Sequence, residues 1–451
     1  MARRIWAGNE DIKCIWHLIR KKDLQMDLIV RNARLVDGDE LVDLAVRAGT
    51  FAEIGPSLKA QAQTEIDAGG NLVCPPFIDP HLHLDAALTA GIPRYNISGS
   101  HPEGIQVWGE YKKAYPQFED FKDRARRAVE WEVAQGTLYI RTHIDICDPS
   151  LTALKYMLEL QEELSEIADI QIVAFPQDGI LSYSKAPDLM REALTLGADL
   201  VGGIPHCEWT REDGVASIGI VYALAEEFDR MIDVHCDETD DEHSRFLEVL
   251  ASEAIKRGFE HRVSASHTTA MHSYNNAYAF KLQGLLSRAG VNIIANPFDN
   301  TVLQARFDTY PKRRGITRVK ELLAAGINVS LGHDSIMDPW YPLGKGDMLA
   351  AAQLAIHVCH MSGFDEMQQM FDTITINSAK TLGIAESYGI APGRRADLVI
   401  LDAGSVLDAL RLCPARLSVV KAGRVVAETQ PSQSRIQYGT EQKVVNFQTN
   451  S

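Results

Sequence analysis

The sequence predicts an α/β protein in which a (β/α)8 TIM barrel is joined to a small β-sandwich built from both chain ends. Over the middle of the chain, short apolar runs alternate with longer amphipathic segments, which is the pattern of strands and helices around a parallel sheet. We count eight such units, the number that closes a barrel. An open doubly wound sheet is the alternative, but the Gly-x-Gly-x-x-Gly loop expected in that fold is missing.

The first barrel strand is predicted in the apolar run that leads into His81. Helix-length amphipathic segments separate the later runs, for example residues 119–135 and 151–167. The later strands are predicted at residues 138–145, 170–177, 200–206, 231–238, 262–267, 291–297 and 327–334.

Both ends of the chain have a different pattern, with short strand-like runs separated by turn residues such as Gly55-Pro56. We therefore predict that residues 26–74 and 385–430 form the β-sandwich and that residues 75–384 form the barrel. A clean strand pattern begins only at Met26. Residues 1–25 are therefore predicted to be an N-terminal extension, which is either disordered or the result of a misassigned start. Residues 431–451 are rich in Gln, Ser and Thr and predict a polar surface tail.

Charge and cysteine content narrow the class of protein. The 451 residues include 45 Lys and Arg against 61 Asp and Glu, a net charge of −16. This excess of negative charge argues against a surface for nucleic acid or anionic membranes. The sequence has no apolar run long enough to predict a membrane span. Its scattered cysteines, without Cys-x-x-Cys pairs, are typical of a reducing compartment. We expect a cytoplasmic protein that acts on a small molecule and forms a homo-oligomer.

Polar residues follow four of the predicted barrel strands. His81 and His83 lie two positions apart, so in a strand both side chains point to the same side. On its own this pair is weak evidence, because two polar residues in a turn would look the same. Further polar groups end later strands, at His235, His267 and Asp334. Since active sites of barrels form where strands end, we expect these side chains to meet.

The residue types at these positions predict a metal site. Three imidazoles and a carboxylate, from His81, His83, His235 and Asp334, suit one divalent ion, Fe²⁺ or Zn²⁺. A bound metal lowers the pKa of water toward about 7 and supplies hydroxide at neutral pH. No lysine ends the run at 200–206, so the obvious bridging residue for a second metal is missing.

Three residues of the predicted site suit proton transfer. Asp334 is positioned both to hold the metal and to take a proton from water. Glu238, three residues after His235, suits proton delivery to a leaving group, and His267 suits orientation of the nucleophile. His143 and His206 are interpreted as accessory groups or as satisfied core residues.

Six segments between residues 28 and 430 carry dense and specific motifs: Pro75-Pro76-Phe77, Ala174-Phe175-Pro176-Gln177, Asp233-Val234-His235-Cys236-Asp237-Glu238, Ala265-Ser266-His267-Thr268-Thr269-Ala270-Met271-His272-Ser273-Tyr274-Asn275, Arg306-Phe307-Asp308-Thr309-Tyr310-Pro311-Lys312-Arg313-Arg314-Gly315 and Asp338-Pro339-Trp340-Tyr341-Pro342-Leu343-Gly344. On these residues the chain resembles the amidohydrolase superfamily and, within it, the bacterial cytosine deaminases. The resemblance implies a barrel flanked by a β-sandwich and one divalent metal, iron or zinc.

The resemblance also implies residue roles and a substrate class. Gln177 would hold the amide-like edge of a pyrimidine, and Glu238 would protonate the ring nitrogen. His267 and Asp334 would act on the water, and Trp340 would line the ring pocket. That the substrate is a free pyrimidine base is implied by the resemblance alone.

Two positions depart from the cytosine deaminase pattern. Ser335 stands where those enzymes typically carry an aspartate, directly after the metal-binding aspartate. The smaller, uncharged side chain opens space, so we interpret the chain as a deaminase of 5-methylcytosine that yields thymine and ammonia. An ordinary cytosine deaminase, with Ser335 as a neutral replacement, is the alternative. The second departure is at His101 and Pro102, where cytosine deaminases carry apolar residues.

Two other classes of function remain open at this point. Hydrolysis of a cyclic amide would open a ring without releasing ammonia, and a binding or scaffold protein of barrel shape would not turn over substrate. The missing lysine argues against the first, and the complete set of four ligand residues argues against the second.

Overall fold

The structure, a computed structural model, describes residues 26–38 and 40–448. The predicted N-terminal extension at residues 1–25 lies outside the described residues. Within them the strands form two eight-stranded sheets and one two-stranded hairpin. The strands are β1 (Met26–Leu35), β2 (Leu41–Arg47), β3 (Thr50–Gly55), β4 (Ala62–Asp67), β5 (Leu72–Cys74), β6 (Phe77–Leu82), β7 (Thr137–Asp145), β8 (Asp169–Phe175), β9 (Leu200–Gly203), β10 (Met231–Cys236), β11 (Val263–His267), β12 (Asn292–Ala295), β13 (Val329–Leu331), β14 (Leu398–Leu401), β15 (Arg416–Lys421), β16 (Arg424–Glu428), β17 (Ser434–Tyr438) and β18 (Glu441–Val445).

Helices follow most of the strands of the central part of the chain. They are α1 (His101–Ala114), α2 (Phe121–Ala134), α3 (Thr152–Glu163), α4 (Ala186–Leu196), α5 (Arg211–Phe228), α6 (Phe246–Arg257), α7 (Asn276–Ala289), α8 (Pro297–Leu303), α9 (Val319–Ala324), α10 (Met348–Val358), α11 (Phe364–Asp372), α12 (Ile376–Leu382) and α13 (Val406–Leu412). No helix among the described residues is long and apolar enough to span a bilayer.

The barrel is one parallel sheet in which β6 to β13 pair in the order of the sequence. A parallel bridge between Leu82 and Asp334 joins the end of β6 to the loop after β13, so the first and last strands meet. Almost every strand residue is buried, as expected when strands have a packed interior on one side and helices on the other. The predicted (β/α)8 barrel is confirmed.

The outer helices form because of local signals and an apolar face. In α5, the Thr210 side chain accepts a hydrogen bond from the backbone N–H of Asp213, which caps the first turn. In α4, Leu189, Met190 and Ala193 recur at the spacing of one helix face and are buried against the barrel.

The second eight-stranded sheet joins both ends of the chain. Strands β1 to β5 come from the N-terminal part and β14 to β16 from the C-terminal part, in the order β16-β15-β14-β5-β1-β2-β3 with β4 paired to β1. Its own apolar core includes Leu28, Val30, Phe51 and Leu398. The structure therefore confirms a small β unit built from both ends. The domain boundaries at residues 74 and 385 stay a prediction.

The structure differs from the sequence prediction in three local features, the first two of which are at strands that lead to the site. The predicted strand at 200–206 ends at Gly203, because Pro205 lacks an N–H and starts a short 3₁₀ turn. The predicted strand at 327–334 is only Val329–Leu331, so Asp334 lies in a loop. In the predicted polar tail, β17 and β18 form an exposed antiparallel hairpin that the sequence analysis did not predict.

Position 202, in β9, requires glycine because the backbone of the neighbouring strand lies very close to it. A Cβ at this position would lie 2.5 Å from the carbonyl oxygen of Ala174, in the neighbouring strand β8. We expect Gly202→Ala to lower the free energy of unfolding by about 1–3 kcal/mol, because the two strands must move apart. A lower thermal unfolding midpoint would show this effect.

Gly219 offers a matched control for this substitution. It lies in helix α5, and a Cβ there meets no heavy atom within 4 Å. Gly219→Ala should raise stability by up to about 1 kcal/mol through helix propensity. If Gly202→Ala unfolded at or above the wild-type temperature, the close approach of β8 and β9 would be contradicted.

Candidate active site

The four predicted metal ligands lie together at the carboxyl ends of the barrel strands. His81 Nε2 and His83 Nε2 lie 3.4 Å and 3.6 Å from Asp334 Oδ1. His83 Nε2 also lies 3.1 Å from His235 Nε2. Three ring nitrogens and one carboxylate oxygen therefore converge on one point, which is the arrangement of a metal site.

Backbone hydrogen bonds hold this group together. The N–H of Asp334 donates to the carbonyl of His81 at 2.8 Å, and the N–H of His83 donates to the carbonyl of Asp334 at 3.1 Å. Asp334 adopts a left-handed backbone with φ of 72°, a conformation that aspartate tolerates better than most residues. This turn ends the strand and directs the carboxylate at the two imidazoles.

The imidazoles are in the protonation state that binds metal. Burial lowers the pKa of His81, His83 and His235 well below the usual value, with a further contribution from neighbouring histidines. Neutral rings keep a lone pair for coordination. His81 Nε2 and His235 Nδ1 are buried without a hydrogen-bond partner among the described residues. The residues present therefore fit a divalent metal ion.

A chain of hydrogen bonds behind His81 sets its tautomer. Ser266 Oγ donates to Asp233 Oδ1 at 2.8 Å, so it accepts from His81 Nδ1–H at 2.9 Å. Arg141 Nη1 donates to the other oxygen of Asp233 at 2.8 Å. With its proton on Nδ1, His81 presents the Nε2 lone pair to the site, as metal-binding histidines do when their other nitrogen is hydrogen-bonded.

Glu238 and His267 adjoin the ligands. His267 Nδ1 lies 3.5 Å from Glu238 Oε1 and 3.7 Å from Asp334 Oδ2. Asn300 Nδ2 donates to the same nitrogen, His267 Nδ1, at 3.0 Å and helps to fix the ring. Burial raises the pKa of Glu238 to about 8, so this carboxyl holds a proton at neutral pH. It is therefore suited to act as a proton donor.

A cavity that is partly open to solvent lies directly above these groups. Helix α1 contributes His101 to its wall. Gly104, in the same helix, packs against the indole of Trp340, where a Cβ would lie 2.5 Å from Cδ1. The cavity is lined by His83, His101, Gln177, Ile204, His235, Glu238, His267, Asp299, Leu303, Asp334, Ser335 and Trp340.

The structure thus brings every predicted site residue to one place. Gln177, Ser335 and Trp340 line the cavity with Glu238 and His267, and the predicted ligands form its floor. Their chemical roles stay predictions. His143 belongs to the same group, because its ring centre lies 4.1 Å from that of His81. Ring nitrogens of His81, His83 and His143 also lie within 4.8 Å of one another.

Sequence reasoning missed Asp299, which lines the cavity and accepts a hydrogen bond from Ser335 Oγ at 2.8 Å. Asp299 and Asn300 lie four and five residues after the end of strand β12, in helix α8, so the pattern of polar residues at strand ends did not point to them. His101 was noted only as a departure from the cytosine deaminase pattern, and its Nε2 lies 3.9 Å from Glu238 Oε2. Burial lowers the pKa of His101 to about 4, so this ring is neutral.

Comparison with known proteins identifies the family. A model of the amidohydrolase family matches residues 64–427. The chain belongs to this family. It is a hydrolase that acts on carbon–nitrogen bonds, and the family typically binds a divalent metal, for which candidate ligands are present here.

Individual relatives are similar over nearly the whole chain. One is 5-methylcytosine deaminase from Klebsiella pneumoniae, in a crystal structure liganded with 5-fluorocytosine. Its sequence is 46% identical to this one, and the two structures superpose with a TM-score of 0.88 over 92% of this chain and 100% of that chain. N-isopropylammelide isopropyl amidohydrolase of Pseudomonas sp. strain ADP is 32% identical over 90% of this chain and 98% of that protein. Pterin deaminase of Rhizobium rhizogenes is 28% identical over 86% of this chain and 88% of that protein.

The raised pKa of Glu238 predicts a pH-dependent cost of folding. Between its ordinary value of 4.5 and about 8, the folded protein keeps a proton that the unfolded chain releases. Stability from this group therefore falls as pH rises through that window. In the metal-free protein, we expect Glu238→Gln to gain stability over the wild type from about pH 5 to pH 8, by a few kcal/mol in all, and no more above that range.

Thermal unfolding midpoints measured across this range test the expectation. Glu212→Gln makes the same change on a side chain that is 82% exposed and is the matched control. A Glu238→Gln difference that stays constant with pH would contradict a buried, protonated Glu238.

Proposed function

We propose that the chain is a metal-dependent hydrolytic deaminase of a free pyrimidine base, which converts 5-methylcytosine to thymine and ammonia. The observation that carries the choice of base is Ser335 in the cavity wall, where cytosine deaminases typically have an aspartate. The 46% identity to a 5-methylcytosine deaminase supports the same choice. The ligand of that structure, 5-fluorocytosine, also carries a substituent at C5.

We propose that His81, His83, His235 and Asp334 hold one divalent metal ion, Fe²⁺ or Zn²⁺. The support is the approach of His81 Nε2 and His83 Nε2 to Asp334 Oδ1, the contact of His83 Nε2 with His235 Nε2, and the buried His81 Nε2, which lacks a hydrogen-bond partner among the described residues. When bound, the metal supplies hydroxide at neutral pH.

The remaining groups suit the proton transfers of deamination. Glu238, protonated at neutral pH, delivers its proton to the ring nitrogen and is then free to carry a proton from the water to the amino group. Asp334 Oδ2 takes the proton of the attacking water, and His267 orients that water from the adjacent wall. A C4–O bond forms, and Glu238 carries the remaining proton of the C4 hydroxyl to the amino group. The C4–N bond then breaks, ammonia leaves, and the proton held by Asp334 returns to Glu238.

Gln177 and Trp340 suit recognition of the ring. Gln177 lies in the cavity wall, and its side-chain amide carries both a donor and an acceptor for the amide-like edge of a pyrimidine. Trp340, supported by Gly104, offers a flat apolar surface for stacking. A neutral Glu238 as donor favours an uncharged heterocycle.

The alternative is an ordinary cytosine deaminase, which forms uracil and ammonia with the same residues. The same cavity would accept the smaller base, so only the relative rates separate the two proposals. Hydrolysis of a cyclic amide would use the same metal site but would release no ammonia.

Ammonia release by the metal-loaded protein, with 5-methylcytosine and cytosine compared side by side, tests the proposal. We expect a higher kcat/KM for the methylated base, because the wall at Ser335 leaves room for the methyl group. Faster turnover of cytosine would favour the alternative, and ring opening without ammonia would contradict deamination.

A substitution at Ser335 tests the residue that carries the choice. Ser335→Asp restores the larger, charged side chain and should lower the ratio of kcat/KM for 5-methylcytosine over cytosine by at least about tenfold. Ser335→Ala, which keeps the space open, is the matched control and should preserve the preference. An unchanged ratio in Ser335→Asp would show that another residue selects the base.

The metal site is tested by elemental analysis. The wild-type protein should hold about one divalent ion per chain, and removal of the ion by a chelator should stop ammonia release until Fe²⁺ or Zn²⁺ is returned. His83→Asn should lose the ion. His243→Asn makes the same change on an exposed side chain and should retain it. Full metal content in His83→Asn would contradict the ligand set.

A further inference from the structure

A buried carboxylate stands behind Ser335 and is not used by the proposed mechanism. Asp299 lies in the first turn of helix α8, and its Oδ2 accepts the hydrogen bond from Ser335 Oγ at 2.8 Å. Both residues are 2% exposed, and both line the cavity. The wall that faces the substrate at this point is therefore a pair of residues.

The side chain of Asp299 does little to hold the fold, apart from the favourable position of an acid in the first turn of α8. Among the described residues, Ser335 donates the hydrogen bond that the Asp299 side chain accepts at Oδ2. The other oxygen, Asp299 Oδ1, is buried without a hydrogen-bond partner. Burying a carboxyl group with one oxygen unpaired costs free energy. Its neighbour Asp338 also lies within hydrogen-bonding reach of the Ser335 side chain, but Asp338 Oδ1 already accepts the N–H groups of Trp340 at 2.9 Å and Tyr341 at 3.0 Å and so holds their loop.

The hydrogen bond restricts where the Ser335 oxygen can lie. A serine hydroxyl has three staggered positions about χ1, and its preference among them is weak unless a partner selects one. A carboxyl acceptor at 2.8 Å selects the position that points to helix α8. Without this acceptor the oxygen is free to leave Asp299, and a position that points into the cavity would reduce the space that the smaller side chain provides.

We propose that Asp299 is a positioning residue for the base selectivity of this site. By holding the Ser335 hydroxyl against helix α8, it keeps the cavity wall open to a methyl group at C5 of the pyrimidine. This role rests on the proposed function of the site, and it assigns the selectivity to Asp299 and Ser335 together.

A double-mutant cycle separates this role from a structural one. Asp299→Ala removes the acceptor, and Asp299→Asn keeps an acceptor oxygen in the same volume. Each substitution is made in the otherwise wild-type chain and in the Ser335→Ala variant, which has no hydroxyl to position. The readout is the ratio of kcat/KM for 5-methylcytosine over cytosine on one metal-loaded preparation. Because both substrates are measured on the same sample, the folded fraction cancels.

The expected pattern is specific. With Ser335 present, Asp299→Ala should lower the ratio by about tenfold, the lower end of what one methyl group contributes to discrimination. Asp299→Asn should retain a ratio near that of the wild type. With Ser335→Ala, Asp299→Ala should leave the ratio unchanged. If Asp299→Ala does not yield folded protein, Asp299→Val, which fills the space without an acceptor, takes its place in the cycle.

The outcomes that overturn the inference differ from those that overturn the proposed function. A wild-type protein that prefers cytosine contradicts the selectivity of Ser335, and the role of Asp299 with it. A wild-type protein that prefers 5-methylcytosine, in which Asp299→Ala leaves the ratio unchanged or lowers it equally in both backgrounds, contradicts only the role of Asp299.

Discussion

The backbone pairing between the two ends of the barrel sheet determines where the candidate active site forms. Leu82, at the end of β6, and Asp334, in the loop after β13, make the bridge that joins the first and last strands. The residues that flank this bridge, His81 and His83, exchange backbone hydrogen bonds with Asp334. The contact that joins the sheet therefore also brings two imidazoles to one carboxylate. A barrel that failed to close here would separate these groups, so fold and candidate site depend on the same few hydrogen bonds.

Buried polar and charged side chains inside the barrel reinforce the contact between its first and last strands. Asp79 Oδ1 accepts the N–H of His81 at 3.1 Å and the N–H of His333 at 3.0 Å, so one carboxyl group links the first strand to the loop after the last. Across the barrel, the ion pair of Arg141 and Asp233 is fully buried. A buried ion pair contributes little net stability, because desolvation offsets the attraction between the charges. Its value here is orientation, since Asp233 acts through Ser266 on the His81 ring.

Much of this site could be predicted from the sequence, for a physical reason. Parallel strands end at one face of a barrel, so polar residues after separate strands meet without any knowledge of loop structure. That reasoning placed His81, His83, His235 and Asp334 together. It failed for Asp299, which lies on a helix just beyond strand β12 and reaches the cavity only through the packing of α8. The tautomer of His81 was also beyond reach, because it depends on which way a serine hydroxyl points.

The sequence interpretation of Ser335 was incomplete in the same way. Considered alone, serine at this position means that a carboxylate is lost and space is gained. In the structure a carboxylate is present at the neighbouring Asp299, with Asp338 close by, and burial raises the pKa of both. A third carboxyl group at position 335 would lie beside these two in a site with little water, where like charges repel strongly. Serine at 335 is thus favoured by its surroundings as well as by the space it leaves. Under the proposed roles, the choice of base depends on both residues of this wall, the small side chain of Ser335 and the acid beside it.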